Sequence, residues 1–451
     1  MESEGWAGTS NRAMHSSNYP HIGICIRVLP EDVGGIAQST MGLIHALGKL
    51  EGPERYTLIV DAHKQADWLR SYCGPNQRIV MQRKEGGGNS RLTLARVLKA
   101  ALGPLLPAAR YVQHLLSIPR QWPEVPISDG FYESLGCEVV HFPTQWYMLC
   151  AVPTIYNPHD LQHLHYPQFF TPQELATRET IYSTACRLAQ TVAVGTQWIK
   201  DDVARHYGIH PDNVQVIPWA SPTQFYKEPT AGYLAAVTQK YQLERPFALY
   251  PAITWPHKNH LRLLEALAHL RDNRGLVVRL VCTGSPDPAF HPSIKARVRE
   301  LNLSTQVKFL GFVPEDDLRA LYRLAQFLVI PTLYEADSCP IHEAWYEGLP
   351  VASSNATALP DQVHDAGLMF DPKDALDIAN AVERMATDQK LRDDLRERGY
   401  RRVKDFDWER TAKAYRALYR RAADRPLTEE DRMLLQWDWM RHSERPSGLL
   451  R

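Results

Sequence analysis

The sequence lacks both the long apolar runs of a membrane-spanning protein and the charge excess of a protein that binds nucleic acid. None of its apolar runs approaches the length of about eighteen residues that a transmembrane helix needs. Its 51 basic residues balance 51 acidic residues, so no overall positive field favours nucleic acid as a partner. Residues 1–20 are polar and contain no apolar segment, and we expect a disordered lead-in there rather than a signal peptide.

Closely spaced cysteine pairs are absent as well. The seven cysteines are scattered along the chain, and no two of them have the C-x-x-C spacing of a zinc or redox motif. This distribution is expected of reduced thiols in a cytoplasmic protein rather than of a disulfide framework. We therefore predict a cytoplasmic location.

Short apolar runs of strand type, among them 55–60 and 191–194, alternate with helical patterns in two successive series, the second of which starts near Arg245. With 451 residues, 44% of them hydrophobic, the chain is too long for one ordinary core. The pattern predicts the α/β class, with two facing, doubly wound, Rossmann-like domains and a deep cleft between them. The expected boundaries are 1–20 for the lead-in, 21–225 for the first domain, 226–405 for the second, and 406–451 for a helix that crosses back and a tail.

One motif combines a strand, two acids and the start of a helix. The stretch YEADSCPIHEAWYEGLP, Tyr334–Pro350, follows the apolar run Phe327–Thr332, and seven residues separate Glu335 from Glu343. A helix that begins at about Ser338–Ile341 presents free N–H groups at the carboxyl end of a strand, which suits a diphosphate. Glu335 would then lie near the group that the phosphate carries, and Glu343 would accept hydrogen bonds from a ribose. In the simpler alternative, Glu335 is a solvated loop residue and Glu343 interacts with the helix dipole from the first turn.

The E-x7-E spacing after a strand resembles the pattern of retaining GT-B glycosyltransferases, especially family 4 of the group 1 glycosyl transferases. Further stretches resemble the same family, namely NPHDLQHLHYPQFF, YPAITWPHKNHLRLLEAL, GFVPEDDLRALYRLA and LPVASSNATALPDQVHDAGLMFDP. The resemblance covers about residues 21–420. It implies a nucleotide-sugar donor on the second domain, an acceptor on the first, and closure of both over the reactants. It also implies transfer with retention of configuration, without an obligatory metal, cofactor or protein nucleophile.

The resemblance implies three catalytic side chains. Lys258 matches the lysine that binds the departing phosphate, Glu335 the acid that reaches the transferred sugar, and His159 the first-domain histidine that approaches the sugar hydroxyls. We expect Asp160 to orient His159. Many relatives carry an arginine six residues before the lysine, where this chain has Ala252, so phosphate neutralisation is expected to depend more on Lys258, on His257 or on an arginine elsewhere. A surface lysine and a structural histidine are the alternatives.

The remaining donor-binding candidates contribute mainly their backbone. Gly34 and Gly35 lie between the first strand and its helix, where a glycine lacks the Cβ that would obstruct close approach to donor or acceptor. A simple turn is the alternative. The expected tip of the later helix supplies the others, Ser338, Cys339, Pro340 and Ile341, beside Glu343. Cys339 is not expected to act as a nucleophile, because no base is evident for it.

Two histidines raise the question of a metal. His163 and His165 follow His159 closely, but no further acid or cysteine cluster matches their spacing. We therefore predict no metal site and no cofactor apart from the nucleotide sugar, which is a substrate.

One long stretch has no acidic residue. Residues 86–123 are rich in Leu and Val and carry basic residues but no Asp or Glu. An apolar surface with basic residues is typical of proteins that rest on anionic lipid, which predicts peripheral contact with the inner face of a membrane and access to a lipid-linked acceptor. The alternative is a helical insertion packed on its own domain.

The sequence is thus identified as a retaining glycosyltransferase that transfers a sugar to a glycan or lipid-linked acceptor in polysaccharide or lipopolysaccharide biosynthesis. Mannosyl transfer from GDP-mannose is a common activity in the family. Two other functions fit the same fold. One is a non-catalytic carbohydrate-binding or scaffold protein, which the missing arginine at position 252 favours, and the other is a GT-B-like phosphorylase or epimerase.

Overall fold

The short apolar runs of the sequence form parallel strands, whose two buried faces require side chains that tolerate burial at every position. Thr191–Val194, for example, is buried throughout. In the computed structural model, these strands assemble into one sheet of seven strands and another of six, with helices packed around them. The predicted α/β class is therefore confirmed. The structure describes residues 19–28, 34–82, 124–221, 223 and 226–440.

The first sheet is entirely parallel. Its strands are β1 (His21–Ile26), β2 (Arg55–Val60), β3 (Gln77–Met81), β4 (Val139–Phe142), β5 (Thr154–Tyr156), β6 (Thr191–Val194) and β7 (Val214–Val216). They lie in the order β3-β2-β1-β4-β5-β6-β7. Ile22 pairs with Tyr56 on one side and Val139 on the other, so the strand order reverses between β1 and β4. Doubly wound sheets bind ligands at this kind of reversal.

The second sheet repeats the same plan. Its strands are β8 (Phe247–Pro251), β9 (Arg279–Thr283), β10 (Val307–Phe309), β11 (Phe327–Ile330), β12 (Val351–Ser354) and β13 (Leu368–Phe370). The order is β10-β9-β8-β11-β12-β13, again with parallel pairings. The reversal lies between β8 and β11, and the two stretches with the strongest sequence motifs directly follow these two strands.

Helices connect and cover the strands. They are α1 (Gly35–Lys49), α2 (His63–Leu69), α3 (Phe131–Ser134), α4 (Gln162–His165), α5 (Pro172–Leu188), α6 (Gln197–Tyr207), α7 (Ala231–Lys240), α8 (His260–Arg274), α9 (His291–Glu300), α10 (Glu315–Leu324), α11 (Cys339–Tyr346), α12 (Leu359–Val363), α13 (Ala375–Thr387), α14 (Gln389–Arg402), α15 (Trp408–Ala422) and α16 (Glu429–Gln436). Within the described ranges, we find no helix with the length and hydropathy that crossing a bilayer requires.

Helix α15 follows the second sheet in sequence but packs against the first sheet. The Tyr419 hydroxyl lies 2.9 Å from His141 Nδ1, and Asn157 donates from Nδ2 to the Tyr415 hydroxyl at 2.9 Å. All four side chains are buried. Burial lowers the pKa of His141 to about 4, so its ring is neutral and can take part in a network of uncharged groups.

A glycine permits the close contact between α1 and α15. A Cβ added to Gly42 would lie 2.1 Å from Cζ2 of Trp408, which is closer than two carbon atoms can approach. The same indole donates from Nε1 to the Ser221 carbonyl at 3.0 Å. The helix is therefore anchored to the first domain by both apolar packing and hydrogen bonds.

Three predictions concern segments outside the described residues. They are the disordered lead-in, of which the structure describes only residues 19 and 20, the membrane-binding stretch 86–123, and the end of the tail after residue 440.

Candidate active site

The candidate site lies in the cleft between the two sheets. Its lining comes from the start of α1 and the loops after β5 and β6 on one side, and from the loops after β8 and β11 on the other. The predicted residues in this lining are Gly35, His159, Lys258, Glu335 and Cys339. The other lining residues are Ile36, Ser39, Asn157, Asp160, Gln162, Ala193, Val194, Gly195, Trp219, Trp255, His257, Tyr334, Ala336 and Asp337.

Lys258 is held by the loop that joins β8 to α8. It ends a short 3-10 helix, Pro256–Lys258, and its carbonyl accepts a hydrogen bond of 2.6 Å from the Tyr250 hydroxyl. The backbone N–H of Leu333 donates to the His257 carbonyl at 2.8 Å. These bonds fix the loop after β8 to the loop after β11, so the lysine faces the second motif.

Glu335 meets Lys258 directly. Lys258 Nζ lies 2.5 Å from Glu335 Oε1, and both side chains are largely shielded from solvent. Thr357 supports the backbone of the acid, because its Oγ1 accepts from the Glu335 N–H at 2.9 Å and donates to the Glu335 carbonyl at 2.6 Å. The cation and the acid of the two motifs therefore form one ion pair in the cleft.

His159 reaches the cleft from the first domain. Its backbone has a φ of 62°, a left-handed conformation that is uncommon outside glycine. Its Nε2 donates to the Pro143 carbonyl at 2.8 Å, and its ring stacks on Trp219 with centroids 6.0 Å apart. Burial lowers the pKa of His159, so the neutral ring keeps Nδ1 as an acceptor.

Asp160 does not orient His159 as expected. Its carboxylate accepts from the Gln162 N–H at 3.0 Å and from the side-chain amide of Gln145 at 3.2 Å, and it lies 3.5 Å from Arg178. The partner of the histidine ring is a backbone carbonyl instead. A sequence motif could not show this, because Pro143 belongs to a different loop.

The tip of α11 is only partly available to a ligand. The Ser338 N–H donates to Oε1 of Gln362 at 2.9 Å, the Ile341 N–H donates to the Ser338 carbonyl at 3.0 Å, and Pro340 has no N–H. Ser338 and Ile341 are buried outside the cleft lining, whereas Cys339 lies in it. Burial raises the pKa of the Cys339 thiol, which keeps it protonated and a poor nucleophile.

Glu343 lies behind this tip rather than in the cleft lining. The Tyr322 hydroxyl donates to its Oε2 at 2.5 Å. Burial raises the pKa of Glu343 to about 7. The predicted contact with a ribose therefore requires that the surrounding side chains move, and it stays a prediction.

The two glycines of the first loop differ in position. Gly35 begins α1 and lies opposite the tip of α11, because a Cβ added to it would lie 3.3 Å from Cys339 Sγ. Gly34 is exposed, with open space around its Cα and an extended backbone, and is not part of the cleft lining.

The positive charge of the donor loop rests on Lys258. Ala252 supplies none, and burial lowers the pKa of the adjacent His257 to about 2, so that ring is neutral. The exposed Trp255 contributes an aromatic face to the same edge of the cleft.

A separate group of side chains has the composition of a metal site. His165, Asp202 and His206 lie together on α4 and α6, with His165 Nε2 2.8 Å from Asp202 Oδ2. His206 Nδ1 lies 3.0 Å from the carbonyl oxygen of Asp202. Hydrogen bonds within the protein therefore already engage both rings, and the group lies outside the cleft lining.

The structure adds cleft residues to which the sequence analysis gave no role, chiefly Asn157, Trp219 and Asp337. Trp219 reaches His159 from a loop sixty residues further along the chain, so sequence spacing gives no sign of the contact. Asp337 did carry a signal, because it is an acid between the two residues of the E-x7-E motif.

Two family profiles match the chain. A profile described as Glycosyl transferases group 1 matches residues 238–402, and one described as Glycosyltransferase Family 4 matches residues 101–224. The first contains Lys258 and Glu335, and the second contains His159. Two Rossmann-like domains with this cleft define a glycosyltransferase of the GT-B fold. The chain belongs to the group 1 glycosyltransferases and is a glycosyltransferase enzyme.

Two mannosyltransferases are moderately similar to this chain in sequence. O-antigen chain mannosyltransferase B of Escherichia coli is 29% identical over 268 residues, which are 58% of this chain and 69% of that protein. The serotype-specific mannosyltransferase WbdA of Escherichia coli is 26% identical over 288 residues, which are 63% of this chain but 34% of that protein. The matched region thus spans about two thirds of one relative and about a third of the other.

Solved structures share the fold at low sequence identity. Sucrose-phosphate synthase from Thermosynechococcus elongatus matches with a TM-score of 0.64 and 20% identity, over 89% of this chain and 98% of that one. Anabaena Alr3699/HepE in complex with UDP and glucose matches with a TM-score of 0.62 and 16% identity, over 88% and 98%. The predicted GT-B fold is confirmed.

Proposed function

We propose that the protein transfers a mannosyl group, with retention of anomeric configuration, from GDP-mannose to a glycan or lipid-linked acceptor. The observation that carries the proposal is the convergence of Lys258, Glu335 and His159, from both domains, on one cleft. The names of the two Escherichia coli relatives support mannose as the sugar. Because the first relative is named for the O-antigen chain, it also supports a role for this protein in polysaccharide or lipopolysaccharide assembly.

The two members of the ion pair in the cleft interact with the diphosphate and the sugar of the donor. When a diphosphate enters, Lys258 Nζ exchanges Glu335 for a phosphate oxygen and stabilises the negative charge that builds up as the glycosidic bond breaks. Glu335, released from the lysine, accepts hydrogen bonds from the hydroxyls of the sugar. Each group thereby exchanges one charged or polar partner for another, so neither is left buried and unpaired.

His159 orients the sugar from the opposite side. Its Nε2–H is already committed to the Pro143 carbonyl, so Nδ1 is the atom that can accept a hydrogen bond from a hydroxyl of the donor sugar. Because the ring stacks on Trp219, its plane is fixed before the donor arrives. The acceptor hydroxyl then attacks the anomeric carbon from the face on which the diphosphate leaves and passes its proton to the departing phosphate oxygen, so the configuration at that carbon is retained.

Donor binding and product stereochemistry test the proposal together. Thermal unfolding of the purified protein is measured with GDP, UDP, GDP-mannose and UDP-glucose, and we expect GDP-mannose to give the largest rise in Tm by mass action. Nuclear magnetic resonance of the product should show an α-mannosyl linkage, as in the donor. A protein that none of the four ligands stabilises contradicts the function, a preference for UDP-glucose contradicts the donor, and a β-linked product contradicts retention.

A further inference from the structure

The carboxyl group of Asp337 lies in the cleft without a partner. Asp337 follows Glu335 by two residues and lines the same cleft. Both of its carboxyl oxygens are shielded from solvent, and neither accepts a hydrogen bond of normal geometry from a residue that the structure describes. Burial raises the pKa of this carboxyl to about 7, a rise that the adjacent Ser338 N–H opposes and the charge of Glu335 increases. A buried carboxyl without partners is destabilising, so its presence calls for a ligand or a structural role.

The polar groups near the carboxyl in the same domain do not provide the structural role. The adjacent Ser338 N–H donates to Oε1 of Gln362 at 2.9 Å instead. His342 Nε2 lies 3.9 Å from Asp337 Oδ1, beyond hydrogen-bond distance. The same Nε2 accepts from the side-chain amide of Gln362 at 2.9 Å, and that amide is oriented by its two bonds to the Ser338 backbone. Burial lowers the pKa of His342 to about 3, so the ring is neutral and its only proton is on Nδ1.

The first domain covers the carboxyl from the other side. A Cβ added to Gly195 would lie 3.5 Å from Asp337 Oδ2, so the glycine backbone faces the carboxyl across the cleft. The adjacent Thr196 donates from Oγ1 to the Ala336 carbonyl at 3.2 Å. Separation of the domains would uncover the carboxyl, and closure over a ligand would hold that ligand against it.

We propose that Asp337 accepts a hydrogen bond from a hydroxyl of the transferred sugar and so contributes to selection of the sugar. The inference rests on the proposed function, because it assigns a further residue to the same donor site. Asp337 belongs to the second domain and lies beside Glu335, the acid assigned to the sugar, which favours the donor over the acceptor as its ligand. The ligand class is therefore the hexopyranose part of a nucleotide sugar.

The test separates binding of the sugar from binding of the nucleotide. Isothermal titration calorimetry measures Kd for GDP and for GDP-mannose with the wild-type protein, Asp337→Asn, and the control Asp316→Asn, whose side chain is exposed at the start of α10. We expect Asp337→Asn to raise Kd for GDP-mannose at least about tenfold, since the hydroxyl then meets a neutral amide instead of a carboxylate, while Kd for GDP stays within about twofold. Its Tm should equal or exceed that of the wild type, because an unpaired buried carboxyl is removed.

Three outcomes would overturn the inference in distinguishable ways. An unchanged ratio of the two Kd values in Asp337→Asn shows that the carboxyl does not contact the sugar. A lower Tm with equal loss of GDP and GDP-mannose binding assigns the residue a structural role. If the wild-type protein binds neither GDP nor GDP-mannose, the proposed donor is wrong, and the inference that rests on it is also lost.

Discussion

At the scale of single residues, the site combines an ion pair, Lys258 with Glu335, and a carboxyl group without a well-formed hydrogen bond, that of Asp337. Lys258 and Glu335 form an ion pair with each other, so neither of these two charges lacks a partner. Removal of either partner leaves the other partly buried and alone, which is costly in itself. Mutational effects at these positions must therefore be measured on both activity and stability.

The first prediction concerns this pair. Glu335→Gln and Lys258→Ala should each lower kcat for mannosyl transfer by about 100-fold or more, because each removes a group that interacts with charge or hydroxyls in the transition state. Initial rates with GDP-mannose provide the measurement, and Lys295→Ala, at an exposed position on α9, is the matched control. Rates near the wild-type value in either variant, with the fold intact by circular dichroism, would reject that residue's role.

The second prediction uses the pKa of Glu343, which burial raises to about 7. A carboxyl whose pKa is higher in the folded than in the unfolded protein stabilises the fold fully below the unfolded pKa, and this contribution is lost as the pH rises through about 7. Glu343→Gln keeps an acceptor for the Tyr322 hydroxyl but cannot ionise. Its gain in unfolding free energy over the wild type should reach up to about 3 kcal/mol at pH 8 and shrink towards zero at pH 5.

Thermal or urea unfolding of the two proteins at both pH values checks this prediction. The buried histidines and Asp337 are present in both proteins, so their own titrations cancel in the difference. A difference that is independent of pH would show that the carboxyl of Glu343 does not titrate as its burial implies.

At the scale of secondary structure, the packing of α1 on α15 depends on a glycine. Gly42→Ala forces a methyl group into the Trp408 ring and should destabilise the protein by about 1–3 kcal/mol, the usual cost of overpacking. The control is Gly232→Ala on α7, which has open space around it and should be neutral or stabilising by up to about 1 kcal/mol. Both are measured as shifts in Tm. Equal Tm values for the two variants would contradict the proposed role of the α1–α15 contact.

The elements that the sequence predicted well are those with continuous burial. The predicted strands 55–60 and 191–194 agree with β2 and β6 residue for residue. Strands β3, β5, β7 and β13 were not recognised. Of these, β3, β7 and β13 lie at the edge of a sheet, whereas β5 is an interior strand of only three residues, too short to form an apolar run. An edge strand is only partly covered, so polar residues interrupt its apolar pattern, as Gln215 interrupts β7.

The site was predictable where its residues share a local motif and unpredictable where they meet through the fold. The E-x7-E spacing placed Glu335 in the cleft, but a spacing cannot show that Tyr322 engages Glu343 or that Gln362 engages the Ser338 amide. Those contacts depend on how neighbouring helices pack on α11. Glu343, the second acid of the motif, therefore supports the helix tip, whereas Glu335, the first, lines the cleft.

At the scale of the whole molecule, hydrogen bonds join the two domains across the cleft. Besides the bond from Thr196, the Trp198 N–H donates to Asp361 Oδ2 at 3.1 Å, and the Leu161 N–H donates to the Tyr334 hydroxyl at 3.1 Å. Each bond links a first-domain loop to the second domain. We expect the domains to separate at these contacts when a donor enters.

The prediction at this scale concerns membranes. We propose that residues 86–123 bind anionic lipid. A larger fraction of the protein should therefore sediment with anionic than with neutral vesicles. Each basic residue near the surface should contribute about 1 kcal/mol to the binding free energy. The combined changes Arg91→Glu, Arg96→Glu and Lys99→Glu should abolish the difference. Lys295→Glu, in an exposed part of α9, should leave it unchanged. Equal sedimentation of the wild-type protein with both kinds of vesicle would exclude the electrostatic contribution.

The position of α15 also has a consequence for synthesis on the ribosome. The seven strands of the first sheet are translated before residue 217, whereas Tyr415 and Tyr419, which complete the interior beside His141, emerge only after the whole second sheet. The first sheet of the nascent chain therefore keeps part of its interior uncovered until α15 has been translated. A gene fragment that ends at residue 402, where the family profile ends, would encode a first domain without its last buried side chains.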